Sequence, residues 1–126
     1  LACADVGTLR GVAAQAGAVW HARRVCALVR GADIAELGDQ LSEAVRHAAL
    51  RHVALTPEDV DATPSLVADI MRDGRGCMAA WIAALPDWVS ARVRLKWADA
   101  SQPPAGARTQ AAVAIVRTLA AEALAA

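Results

Sequence analysis

The chain has 126 residues and a mass of 13.1 kDa, room for one domain. At 56% hydrophobic and 21% charged it can bury a core and is not a disordered segment; with 33 alanines, four tryptophans and neither Phe nor Tyr it lacks the residues of a β-sandwich, a barrel or a base-stacking sheet. Thirteen basic residues balance thirteen acidic ones, so the positive excess of a dedicated nucleic-acid binder is missing.

Read in chain order, the pattern is helical throughout. Leu9, Val12, Ala16, Val19, Ala22, Cys26 and Val29 recur at steps of three and four, which predicts a first helix from about Thr8 to Arg30. Gly31 suits its C-terminal end and Asp33 an N-cap. The stripe Ile34, Leu37, Leu41, Val45 and Ala48 continues to about Val53, as one helix kinked at Gly38-Asp39 or as two. Thr56-Pro57-Glu58-Asp59 is a helix-start signal that yields a turn, and Thr63-Pro64 repeats it. A helix is expected over Pro64–Asp73 with Leu66, Val67, Ile70 and Met71 inward, broken by Gly74 and Gly76. Cys77–Leu85 is the next, with Met78, Trp81, Ile82 and Leu85 inward; Pro86 ends it and starts another to Trp97. Ala98–Ala107 is a loop, and a last helix covers Arg108–Ala125 with Val113, Val116, Ala120 and Leu124 inward. The sum is an all-α fold: residues 1–126 as a single compact domain of about six helices. Trp81, Ile82, Leu85 and Ile70 are expected against Leu9, Val19, Leu41 and Val45.

Cys3, Cys26 and Cys77 are odd in number and form no C-x-x-C pair, which speaks against a disulfide framework and for a reducing cytoplasm. No apolar run nears the roughly 18 residues of a membrane span, and no signal-peptide pattern is visible. Twelve of the thirteen cations are Arg, which reads with the alanines as codon bias of a GC-rich genome. A chain that opens on Leu1 is expected to be a piece of a longer protein.

Chemistry-bearing clusters are sparse. His21 and Cys26 are five apart, as are His47 and His52, whereas helical metal ligands want three or four. No metal or other cofactor is expected; Cys26 reads as a buried small hydrophobe and the histidines as solvated. The serines lack a G-x-S-x-G elbow. Cys77, after Gly76 near a predicted helix start, is the one conceivable nucleophile, with a distant His as base. Asp69 and Asp73 share a helix face, and Pro57–Asp73 nets −4 from five acids and one Arg. The acidic segment Glu58, Asp59 and Asp61 is therefore one candidate partner-binding site. The other is basic: Arg92, Arg94 and Lys96 among Trp88, Val89, Val93, Leu95 and Trp97. A helix groups Trp88, Arg92 and Leu95 on one side, and Trp and Arg are the residues enriched in binding hot spots. Trp97, followed by polar loop, is a candidate exposed anchor, while Trp81 and Trp88 also suit a core.

Ala18-Val19-Trp20-His21-Ala22-Arg23-Arg24, followed by Gly31-Ala32-Asp33-Ile34 and Leu37-Gly38, resembles the SctK family of bacterial type III secretion systems. Gly74, Trp81, Ala84-Leu85-Pro86, Arg92 and Leu95 resemble that family's second signature, a Leu-Pro helix break followed by an Arg-containing helix. The likeness runs over about Gly17–Trp97. Family members are longer, and the acidic Pro57–Asp61 stretch departs from their pattern. The resemblance implies a non-enzymatic adaptor of the cytosolic sorting platform. It would sit at the cytosolic face of the inner membrane and connect the SctD ring protein's cytosolic domain to SctQ pods, with no cofactor and no nucleic acid. Two other readings stay open: a small helical DNA-binding regulator using Arg92–Lys96, and a small enzyme using Cys77 with a histidine.

Overall fold

The computed structural model describes residues 6–28, 31–57, 60–97, 101–104 and 106–125. They form seven α-helices and no strand: α1 (Val6–Trp20), α2 (Ala22–Cys26), α3 (Gly31–Gln40), α4 (Glu43–Arg51), α5 (Leu66–Ala84), α6 (Asp87–Lys96) and α7 (Ala107–Ala125), with a 3-10 turn over Val53–Leu55. The fold is all-α, as the alanine content and periodicity dictate. The helix count exceeds the expected six because two long stripes break, and two short ones fuse.

The predicted first helix breaks at His21, whose φ of −105° and ψ of 27° leave the helical region. The apolar stripe runs unbroken through that point, so periodicity carries no trace of the kink. Val19 O is thereby freed at the end of α1, and the buried Thr56 hydroxyl donates to it at 2.7 Å. Thr56, read as a start signal that yields a turn, satisfies the end of a helix earlier in the chain. The second stripe breaks at Leu41-Ser42, not at Gly38-Asp39. Ser42 has φ 139° and ψ 162°, a region that glycine occupies with ease and other residues at a cost of about 1–3 kcal/mol.

α5 corrects the sequence reading most. It runs unbroken through Gly74 and Gly76, 19 residues from an N-cap at Ser65, whose hydroxyl accepts from Ala68 N–H at 3.3 Å. The glycines are contact points, not breaks. A Cβ on Gly74 would lie 2.2 Å from Ala13 O, and one on Gly17 would lie 1.9 Å from Ile70 O. α1 and α5 therefore cross backbone to backbone, which only glycine on both sides permits. At Gly76 the chain over 101–104 passes close, with Gln102 O 3.3 Å from where a Cβ would sit.

α1 is central, packed on α4, α5 and α7, and α5 also packs on α7. The buried side chains separate into two clusters that share α1. One joins Leu9, Val12 and Val19 to Met78, Trp81, Ile82, Val93, Ile115 and Leu119. The other joins Ala18, Ala22 and Val25 to Leu37, Val45, Ala49 and Ile70, with Leu41 at its margin. The expected core residues are inside, Leu41 and Leu85 only partly, but they are divided between two groups instead of meeting in one. Met71, expected inward, is half exposed, and Cys26, expected buried, is exposed.

Candidate interaction site

α6 starts after Pro86, which has no N–H to leave unpaired, and ends at Trp97. Ser90 and Val93 are buried beneath it, with Val89 and Lys96 half-buried at its flanks. The opposite face is open. Trp88 is 67% exposed and Leu95 87%, and they stand seven residues apart on one side with Arg92 between them. The Arg92 guanidinium lies 5.8 Å from the Trp88 ring centroid, within cation–π range, so the two side chains brace one another. Arg94 is exposed on the other flank of the Trp88–Leu95 line. α6 thus carries three cations, Arg92, Arg94 and Lys96, against one acid, Asp87.

The tryptophans exchange their expected roles. Trp88, which suited a core, is the exposed one; Trp97, the candidate anchor, is half-buried and packs against the larger core cluster. Trp81 is buried, as expected. The signal for Trp88 lay in the inward line Val89, Ser90 and Val93, whose opposite side holds Trp88 and Leu95. Of the acidic segment, Glu58 and Asp59 lie outside the described residues. Asp61 is exposed and paired with Arg108 at 3.7 Å, while its backbone carbonyl accepts from Arg72 at 3.0 Å.

Asp69, Arg72 and Asp73 of α5 are held in a network of ion pairs and hydrogen bonds with His21, Arg24 and Thr63. The kink at His21 turns its ring inward, only 1% exposed, with Nε2 donating to Asp73 Oδ2 at 2.5 Å. One turn on, Arg24 donates to Asp69 at 2.6 Å and to Thr63 O at 2.8 Å. Asp69, 1% exposed, also accepts from the Thr63 N–H and hydroxyl, each at 2.7 Å. Arg72 pairs with Asp73 at 3.0 Å and with Asp69 at 3.3 Å. Burial works to raise the Asp69 carboxyl, but the bonds from Arg24 and Thr63 overcome it and hold it at about 2. Burial opposes ionisation of Asp73 likewise, and His21 and Arg72 outweigh it to bring that carboxyl below its ordinary value. His52, half-buried, donates to Glu122 of α7 at 3.0 Å; this bond, joined by Arg51, lowers the Glu122 carboxyl.

The histidines expected in solvent are therefore structural at positions 21 and 52. The clue to the larger network was the spacing of two acids four apart, Asp69 and Asp73, opposite His21 and Arg24 three apart. Among the described residues no group of three His, Cys, Asp or Glu is placed to hold a metal ion. Cys77 sits in the middle of α5, fully buried, and burial with Asp73 nearby pushes its thiol far above the ordinary range. A nucleophilic thiolate is withheld there, opposite to the lowering expected of a helix start. Among the described residues no helix is long and apolar enough to cross a membrane.

Against this geometry stand the known proteins. The chain is similar to the nodulation protein NolU of Rhizobium fredii, 31% identical over 100 residues, which make up 76% of this chain and 47% of that protein. The same figures hold for NolU of Sinorhizobium fredii (strain NBRC 101917 / NGR234). The chain spans about half the length of the curated relatives it matches. No family model matches it, and no solved structure does.

Proposed function

We propose that the chain is the helical part of a non-enzymatic, SctK-like adaptor linked to type III secretion. It would join an SctD-like ring protein to an SctQ-like pod protein at the cytosolic face of the inner membrane. What supports the reading is where the SctK-like letters fall. Trp20 and His21 stand at the α1–α2 kink, Gly74 at the helix crossing, Trp81 in the core, and Leu85-Pro86 at the α5–α6 joint. The same signatures also include Arg92 and Leu95 on the exposed side of α6 and Arg23, Gly31 and Asp33 at the surface, so the likeness spans both scaffold joints and outward positions. The distant likeness to the nodulation protein NolU of Rhizobium fredii stands beside this reading. Partner recognition falls to α6, where Trp88 takes the anchoring role expected of Trp97.

The test is co-purification. The tagged full-length protein is co-expressed with the SctD-like cytosolic domain and the SctQ-like protein of the same bacterium. Retention of both partners, with secretion lost on deletion of the gene, is the expected result. Retention of neither, or salt-dependent binding to duplex DNA in their place, would overturn the adaptor reading.

A further inference from the structure

We propose that the outward face of α6 is a docking strip for an acidic amphipathic helix of a partner protein. The inference rests on the adaptor reading and names the chemistry of the partner. Trp88, Ala91 and Leu95 form a continuous exposed line, flanked by Arg92 on one side and Arg94 on the other. Large apolar side chains exposed in a line, with cations at the margins, mark a recognition surface. The complement is a helix whose own apolar seam meets that line and whose flanking carboxylates meet the two arginines.

Charge decides the occupant. The protein is neutral overall, yet its cations are not equally engaged. Arg24 and Arg72 are held by Asp69 and Asp73, Arg46 by Glu43, and Arg51 by Glu122. Among the described residues Arg92 is held by the Trp88 ring and Arg94 has no acidic partner. An anionic surface is therefore met on α6 by Arg92 and Arg94 without the breaking of an ion pair with an acid. A membrane is the weaker match. The strip holds two large apolar anchors on a ten-residue helix, whereas interfacial helices bury a long apolar face beneath many cations. A nucleic acid lacks the second helical seam that would cover Leu95.

The probe is a stapled synthetic helix with a leucine seam flanked by glutamates, labelled for anisotropy; its control carries lysines at the same flanks. The protein should bind the glutamate helix at least about tenfold more tightly than the lysine one. Trp88→Ala and, separately, Leu95→Ala should each weaken binding by about tenfold. Arg92→Glu with Arg94→Glu should transfer the preference to the lysine helix, and Met71→Ala, exposed elsewhere, should change nothing. Circular dichroism checks that each variant keeps its helicity. Equal affinity for both peptides, unchanged affinity of both alanine variants, or tighter binding to phosphatidylglycerol vesicles than to the glutamate helix would overturn the proposal. So would sedimentation showing a self-dimer that Trp88→Ala dissolves. Capture of SctD-like or SctQ-like partners without peptide binding would remove this inference and leave the adaptor; peptide binding without that capture would do the reverse.

Discussion

Gly17 and Gly74 show how much one missing methyl group decides. A Cβ at either would collide with backbone carbonyl oxygen on the facing helix, and backbone in a helix cannot swing aside as a side chain can. Gly74→Ala should therefore destabilise by about 2–3 kcal/mol or more through overpacking. Gly11 has nothing within 4 Å of its would-be Cβ and lies inside α1, so Gly11→Ala should stabilise by about 0.5–1 kcal/mol. Urea midpoints of the two variants should move in opposite directions; movement in the same direction would show that the crossing is looser than described. Asp69 is the second decisive residue. Its folded carboxyl titrates at about 2, below the ordinary 3.8, so its contribution is complete above the unfolded value and is lost as pH falls through about 2. That contribution is about 2 kcal/mol, and Asp69→Asn should remove it at neutral pH while flattening the acid limb of stability. Urea titrations between about pH 5 and pH 2 check this, and parallel acid limbs in the two proteins would refute it.

At the scale of elements, α5 and α6 bear the two faces of one problem. α5 is buried on most sides, contributing Ile70, Cys77, Met78, Trp81 and Ile82 to the interior. α6 buries only Ser90 and Val93. The same residue type thus has opposite weight on the two helices. Trp81→Ala should cost about 3–5 kcal/mol, because its ring is in the core. Trp88→Ala should cost no more than about 0.5 kcal/mol, since its ring is mostly in water and only Arg92 braces it. Thermal unfolding of the two variants separates them, and a large loss for Trp88→Ala would mean that α6 is pinned by that ring. Exposed aromatic surface kept at no cost in stability is what an interaction helix needs.

At the scale of the whole molecule, α1 couples the two clusters. Its residues Leu9, Val12 and Val19 belong to one and Ala18 to the other, so the same helix presents side chains to both. A rigid helix shared by both leaves neither cluster able to melt alone, so the two should unfold together. Ile70→Ala and Trp81→Ala, one from each cluster, should each shift a single common transition, by about 2–5 kcal/mol for the first. The check is unfolding followed in parallel by far-UV circular dichroism and tryptophan fluorescence. A transition that splits in either variant would show two independent units.

The helical class was written in the composition: alanine at 33 positions, no Phe or Tyr, and apolar steps of three and four. Those are local properties, and local energetics decides whether a segment is helix. The boundaries were not local. Gly74 and Gly76 read as breakers because their cost inside a helix is intrinsic, whereas their return, a close crossing with α1, exists only once the chain is packed. The kink at His21 left the apolar stripe intact and was invisible for the same reason; the ring turns inward toward Asp73, 52 residues away. Of the candidate interaction site, the grouping of Trp88, Arg92 and Leu95 was legible from helical spacing. Which side of that helix faces water was not, because Val89, Ser90 and Val93 win the core only in competition with every other apolar face in the molecule. Pattern along a chain sets what each segment can bury; tertiary packing alone decides which of those faces is left over for a partner.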